Sequence, residues 1–196
     1  MYISNQLTRF LYQNNYIHEK EREIYRYCLN YFFSLLFYFI NIQIISILFQ
    51  HPSCAIIFFL IVIPMRGICG GYHAPTQKKC SFLSYGAFLL SLFLLPITQK
   101  IPTICWIIFF TMSIAIILRL PGITHENRNF SMEQKRKQHF GKQVICTLLS
   151  VFFLLTLCLH LKHYFHFITI CVMIVLVNLF FARICSYRKG GYSIDF

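Results

Sequence analysis

Acidic side chains are scarce in this chain: Asp and Glu together number 6, against 18 Lys and Arg, and only 12% of its 196 residues are charged. The ligand cluster that a metal-dependent protease needs is not to be found in it. Its cysteines number nine, an odd count, and no spacing among them resembles a disulfide framework or a zinc knuckle. The amphipathic periods of a soluble domain are missing too, replaced by continuous apolar stretches. The first thirty residues carry Arg9, Lys20, Arg22 and Arg26 and lack a small-residue cleavage site after a short apolar core, so no removable signal peptide is expected. There is no internal repeat and no low-complexity linker. One domain, residues 1–196, is the expectation.

What the sequence has in abundance is apolar surface. Hydrophobic residues make up 57% of it and the 22 Phe are spread over almost its whole length. A membrane-crossing helix needs about twenty predominantly apolar residues, and the runs predict six crossings, at roughly 29–49, 53–64, 81–97, 101–118, 144–161 and 167–184. The second run is short, so it either extends through 65–72 or dips only partway. Residues 1–28, with Ile3, Leu7, Phe10, Leu11, Ile17 and Ile24 among polar neighbours, fit one or two interfacial helices. The predicted fold class is all-α, a polytopic helical membrane bundle with a polar interfacial N-terminal segment.

The net charge of +12 would suggest nucleic acid in a soluble protein. Here the basic residues sit at the mouths of apolar runs, where they orient the chain and meet anionic lipid heads, so membrane lipid is the expected partner and nucleic acid is not. Six crossings starting inside put 16 of the 18 Lys and Arg on one face and leave only Lys100 and Lys162 on the other. That face is therefore cytoplasmic, and a thiol exposed there stays reduced.

Reactive side chains gather at residues 66–80, RGICGGYHAPTQKKC. A thiol attacks a carbonyl only as thiolate and needs a neighbouring base, which His73 can be for Cys80. On one continuous helix their seven-residue separation would hold them about 10 Å apart along the axis, too far for proton transfer. Gly70 and Gly71 supply a break, and Pro75 suits a helix start that disfavours helical backbone at Ala74. A glycine turn, His73 in a loop, then a helix carrying Cys80 lets the imidazole fold back over the sulfur. Arg66, Lys78 and Lys79 add positive charge around it. A metal site from Cys69, His73 and Cys80 lacks a fourth ligand, and neither metal nor cofactor is expected. The competing reading is a non-enzymatic membrane protein, a small transporter or a peptide-export scaffold, which explains the helices and the charge asymmetry but not the thiol and imidazole around a glycine break.

Arg66, Gly70, Gly71, His73, Ala74 and Cys80, in this spacing between transmembrane runs, resemble the accessory gene regulator B (AgrB) family of bacterial membrane cysteine endopeptidases. A second stretch, Pro121, Thr124, Glu126 and Asn127, is similar to that family's segment ending Glu-Asn-Lys-Pro, with Arg128 and Asn129 replacing its last two residues. The resemblance implies a multi-pass protein of the bacterial cell membrane with Cys80 as nucleophile and His73 as base, and with Arg66 and Gly71 needed for a working site. It implies an AgrD-like propeptide as substrate, cleaved through a Cys80 acyl-enzyme and cyclised to a thiolactone for quorum sensing, and a homodimer. Glu126 and Asn127 are the nearest candidates to orient the histidine, and Gln77 is a candidate oxyanion donor. The basic loop with Arg119, Arg128, Lys135, Arg136, Lys137 and Lys142 is a candidate docking site for the acidic part of a propeptide, and Lys78 and Lys79 are candidate substrate-binding residues as well. The segment His160, Lys162, His163 and His166, on the other face, is expected to be interfacial.

Overall fold

The computed structural model describes residues 2–70, 77–98, 100–120 and 132–188. Over these it is all-helical: α1 (Tyr2–Gln13), α2 (Arg22–Leu48), α3 (Pro52–Cys69), α4 (Gln77–Thr98), α5 (Thr103–Arg119), α6 (Met132–Cys158) and α7 (Lys162–Arg188). A single 3-10 turn, Glu19–Glu21, leads into α2. Five of the helices, α2, α3, α4, α6 and α7, are long and apolar enough to cross a membrane. The apolar α5, at 17 residues, spans about 25 Å, the lower limit for a crossing. Side-chain contacts show that it nevertheless runs the depth of the bundle. Near its start Trp106 packs on His166 of α7, and just past its end the carbonyl of Leu120 is bonded by Lys142 of α6.

Three boundaries differ from the sequence expectation. The second apolar run extends to Cys69 because Met65 and Cys69 continue its buried stripe beyond Pro64. The fifth begins at Met132 rather than 144, and its 27 residues make a helix of about 40 Å against a hydrocarbon core of about 30 Å. Its first turns therefore stand outside the hydrocarbon, and much of the basic 119–143 stretch is helix rather than loop. At the N-terminus there is one separate interfacial helix, α1, while residues 22–28 are the opening turns of α2. Ser4 and Thr8 of α1 are buried, the Ser4 hydroxyl bonding Asn30 of α2, whereas Ile3, Leu7 and Phe10 are exposed along one stripe. Such a stripe suits the headgroup boundary.

α3 and α7 form the centre. In α7 every residue from Phe165 to Cys171 and on to Val172 is buried, so no face is left for lipid. α3 lies against α2, α6 and α7, and α5 and α4 also pack on α7. Aromatic rings fill the layers between helices: Phe58 of α3 meets Phe88 of α4 edge-on, and Phe110 of α5 stacks on Phe153 of α6 with centroids 3.9 Å apart. Without a hydrophobic driving force between helices in lipid, this van der Waals packing and the interhelical hydrogen bonds hold the bundle together.

The contacts also define its two ends. At one end the C-terminus of α3 meets the start of α4 through Arg66 and Ser84, and the start of α6 through Gln138 and Ile68. The end of α5 joins the same cluster through Leu120 and Lys142. At the opposite end Gln43 of α2 donates to the Pro52 carbonyl at 3.0 Å, and Trp106 Nε1 donates to the Thr98 carbonyl at 3.2 Å.

Candidate active site

Cys80 falls in the first described turn of α4 and is half-buried. Arg66, three residues before the end of α3, reaches across to it: Nη2 donates to Cys80 Sγ at 3.1 Å and Nη1 donates to Ser84 Oγ at 3.1 Å. Ser84 stands one turn beyond Cys80 on the same face of α4, and its hydroxyl donates to the Cys80 carbonyl at 3.1 Å. From α2, Tyr38 donates to the Ser84 carbonyl at 3.3 Å. Three helices thus meet around the Cys80–Ser84 turn. A cationic N–H donor aimed at sulfur compensates negative charge on it when the proton leaves.

Behind the guanidinium is a cavity of about 30 Å³, room for one or two water molecules. Arg66, Gly70, Ser84 and Asn178 supply its polar lining, with Phe58, Val62 and Val175 among its apolar walls. Gly70 ends α3 with φ 75 and ψ 177, a backbone region that is essentially confined to glycine. The first of the two hinge glycines therefore has a conformational reason to be one. Gln138 of α6 donates to the Ile68 carbonyl at 2.7 Å, satisfying one of the carbonyls that the end of α3 leaves open.

Of the residues singled out in the sequence, Arg66, Gly70 and Cys80 are brought together here. Gly71, His73, Glu126 and Asn127 lie outside the described residues, as do Pro121 and Thr124. Gln77 and Lys78 are in the opening turn of α4, and Lys79 beside the thiol is exposed. Lys135, Arg136 and Lys137 project from the first turns of α6, all exposed, with Lys137 paired to Glu133 at 2.8 Å. Lys142 is a correction. It is 4% exposed and donates to the Leu120 carbonyl at 2.7 Å, so it braces α6 against α5 and does not face a substrate. Ser84, Tyr38 and Gln138 were missed, and only the spacing of Ser84, one turn from Cys80, could have drawn attention to it.

Elsewhere the polar groups in the apolar runs serve the scaffold. Asn41 bonds the Phe37 carbonyl of its own helix and Gln43 ties α2 to α3. Cys54, Cys69, Cys146 and Cys171 are buried, and all nine cysteines are free thiols. His166 departs from the interfacial expectation: it is buried between the rings of Trp106 and Phe165, at 5.2 and 4.3 Å. Among the described residues no group of three or more His, Cys, Asp or Glu side chains is placed to hold a metal ion.

The model of the family described as accessory gene regulator B matches residues 4–181. The chain belongs to the accessory gene regulator B family. Together with the apolar helices, membership makes it a multi-pass membrane protein. It is also similar to protein FsrB of Enterococcus faecalis (strain ATCC 47077 / OG1RF), 33% identical over 90 residues, covering 42% of this chain and 37% of that protein. The chain thus matches little more than a third of that relative's length. No solved structure matches it. The accessory gene regulator B match takes in both the site and the neighbouring stretches outside the described residues, since Arg66, Cys80, Ser84 and residues 121–131 all fall within it.

Proposed function

We propose that this protein is a cysteine endopeptidase that processes an AgrD-like quorum-sensing propeptide at the cytoplasmic face of a bacterial cell membrane. The observation that carries the reading is the Arg66 guanidinium donating to Cys80 Sγ at 3.1 Å, in a chain whose family match spans residues 4–181. A buried structural cysteine does not need a cation; a nucleophile does. The two ends of the bundle support the orientation, for Arg66, Lys79, Arg119 and Lys135 to Lys137 cluster at the thiol's end while Lys100 and Lys162 stand at the other.

In this mechanism His73, three residues along the chain from Gly70, takes the Cys80 proton, and the sulfur attacks the carbonyl carbon of the scissile peptide bond. A thioester forms, the C–N bond breaks, and the imidazolium returns its proton to the departing amine. The substrate's own cysteine thiol then attacks the thioester. Its acyl group passes from Cys80 to that sulfur, giving a thiolactone and restoring the Cys80 thiol. One thioester replaces another at little energetic cost, whereas hydrolysis is strongly downhill, so the site must keep water out and hold the substrate thiol near. The half-buried sulfur beside Arg66 is partly withdrawn from solvent, which supports that demand. Glu126 or Asn127 is proposed to orient His73, and the exposed Lys135, Arg136 and Lys137 to attract acidic residues of the propeptide.

The test is to incubate the purified protein in lipid with a synthetic propeptide of matching chemistry. A hydroxylamine-sensitive acyl adduct on Cys80 is expected, and loss of cleavage in Cys80→Ser. Undiminished cleavage by Cys80→Ser removes Cys80 from the role.

A further inference from the structure

A guanidinium is a rigid planar fork on a long rotatable stem, so where one tine is anchored decides where the other points. In this protein one tine, Nη2, meets Cys80 Sγ at 3.1 Å, and the other, Nη1, meets Ser84 Oγ at 3.1 Å. The serine hydroxyl has one proton, and it is committed to the Cys80 carbonyl at 3.1 Å. That bond turns the oxygen's lone pairs outward, toward Arg66. A serine in a membrane helix ordinarily stops there, with its hydroxyl satisfied by the carbonyl one turn back. Ser84 goes further, accepting a charged donor from a residue 18 positions away on another helix. Its own carbonyl receives the Tyr38 hydroxyl from α2 at 3.3 Å, which holds the 80–84 turn in place.

We infer that Ser84 is a positioning residue for the Cys80 thiol: its hydroxyl locks the Arg66 fork so that Nη2 stays on the sulfur. The inference rests on the reading of Cys80 as nucleophile. It assigns Ser84 no contact with substrate and no proton transfer. Alanine at this position keeps the helix and removes the acceptor of Nη1, so the fork loses the anchor that stands beside the sulfur on the same helix. Threonine keeps the acceptor. Because the effect runs through Arg66, a lysine there, which lacks the rigid fork that couples one contact to the other, makes Ser84 irrelevant to the sulfur.

The full chain in phospholipid nanodiscs is treated with iodoacetamide across a range of pH, and alkylation of Cys80 alone is followed by peptide mass spectrometry. Ser84→Ala is expected to slow that reaction about tenfold at neutral pH, the worth of one charge-assisted hydrogen bond, and to move the rise of the pH profile to higher pH. Its kcat for propeptide cleavage falls with KM little changed, and Ser84→Thr recovers both. Arg66→Lys slows alkylation as well, and adding Ser84→Ala to it brings no further loss. Wild-type alkylation by Ser84→Ala, losses that add in the double variant, or a Ser84→Ala protein that fails to fold would each overturn the positioning role in favour of none or of a purely structural one. Continued cleavage by Cys80→Ser is a different failure: it sinks the nucleophile assignment, whereas the alkylation arms report only on what surrounds the sulfur.

Discussion

Arg66 and Cys80 belong to different helices and meet at the same end of the bundle, Nη2 of one donating to Sγ of the other across 3.1 Å. Arg66→Lys keeps the charge and loses the two-pronged geometry. Propeptide cleavage is expected to fall by about tenfold to a hundredfold, with melting in detergent unchanged within a few degrees. A variant that cleaves at the parent rate would show that charge alone suffices.

Gly70→Ala confronts a side chain with φ 75 and ψ 177, where strain costs about 1–3 kcal/mol. The chain can relieve it only by leaving α3 in another direction, which re-aims the segment that carries His73. Cleavage should be lost more completely than stability, and Cys80 alkylation, together with a thermal melt, separates the two.

Lys142→Ala removes the donor to the Leu120 carbonyl and a buried side chain in the same stroke. Destabilisation of about 1–3 kcal/mol is expected from the lost partner, read as a lower melting temperature. Since Lys142 does not face solvent, KM for an acidic propeptide should stay as it was. A raised KM with unchanged melting would return Lys142 to the docking surface.

Lys135→Glu with Arg136→Glu changes exposed positions on the first turns of α6. Stability should move by less than about 0.5 kcal/mol. KM for an acidic propeptide should rise, and the difference from the parent should shrink as salt is added. Cysteine accessibility from each side of the membrane must be followed alongside, because the same change weakens the charge bias that orients the chain.

The apolar runs announced the bundle, because a helix buried in lipid needs no period to be visible. Where the run and the helix part company, the reason is polarity: α6 starts at Met132, but Glu133 to Lys142 are polar enough to read as loop until the helix is seen to continue into them. The same blindness hid Lys142, which looked like one more member of a basic cluster. Only on a helix does it turn inward while Lys135, Arg136 and Lys137 turn out. Arg66 and Cys80 were legible because their chemistry is unusual in an apolar chain. Ser84 was not, since a serine in a membrane helix has a satisfied, uninformative place by default, and its tie to Arg66 exists only once α3 and α4 are side by side. His73, Glu126 and Asn127 lie outside the described residues and remain proposals from sequence.

The run from Phe165 to Val172, buried on every side, has a consequence for how the molecule is made. α7 leaves the ribosome after α3, α4, α5 and α6, the helices that pack on it, so during synthesis those earlier segments wait in the bilayer around an unfilled axis. Val175 and Asn178, which wall the cavity behind Arg66, arrive with it. The cavity beside Arg66 and Ser84 is therefore completed only after α7 has inserted, and a nascent chain interrupted before that point carries Arg66 without the wall that α7 supplies.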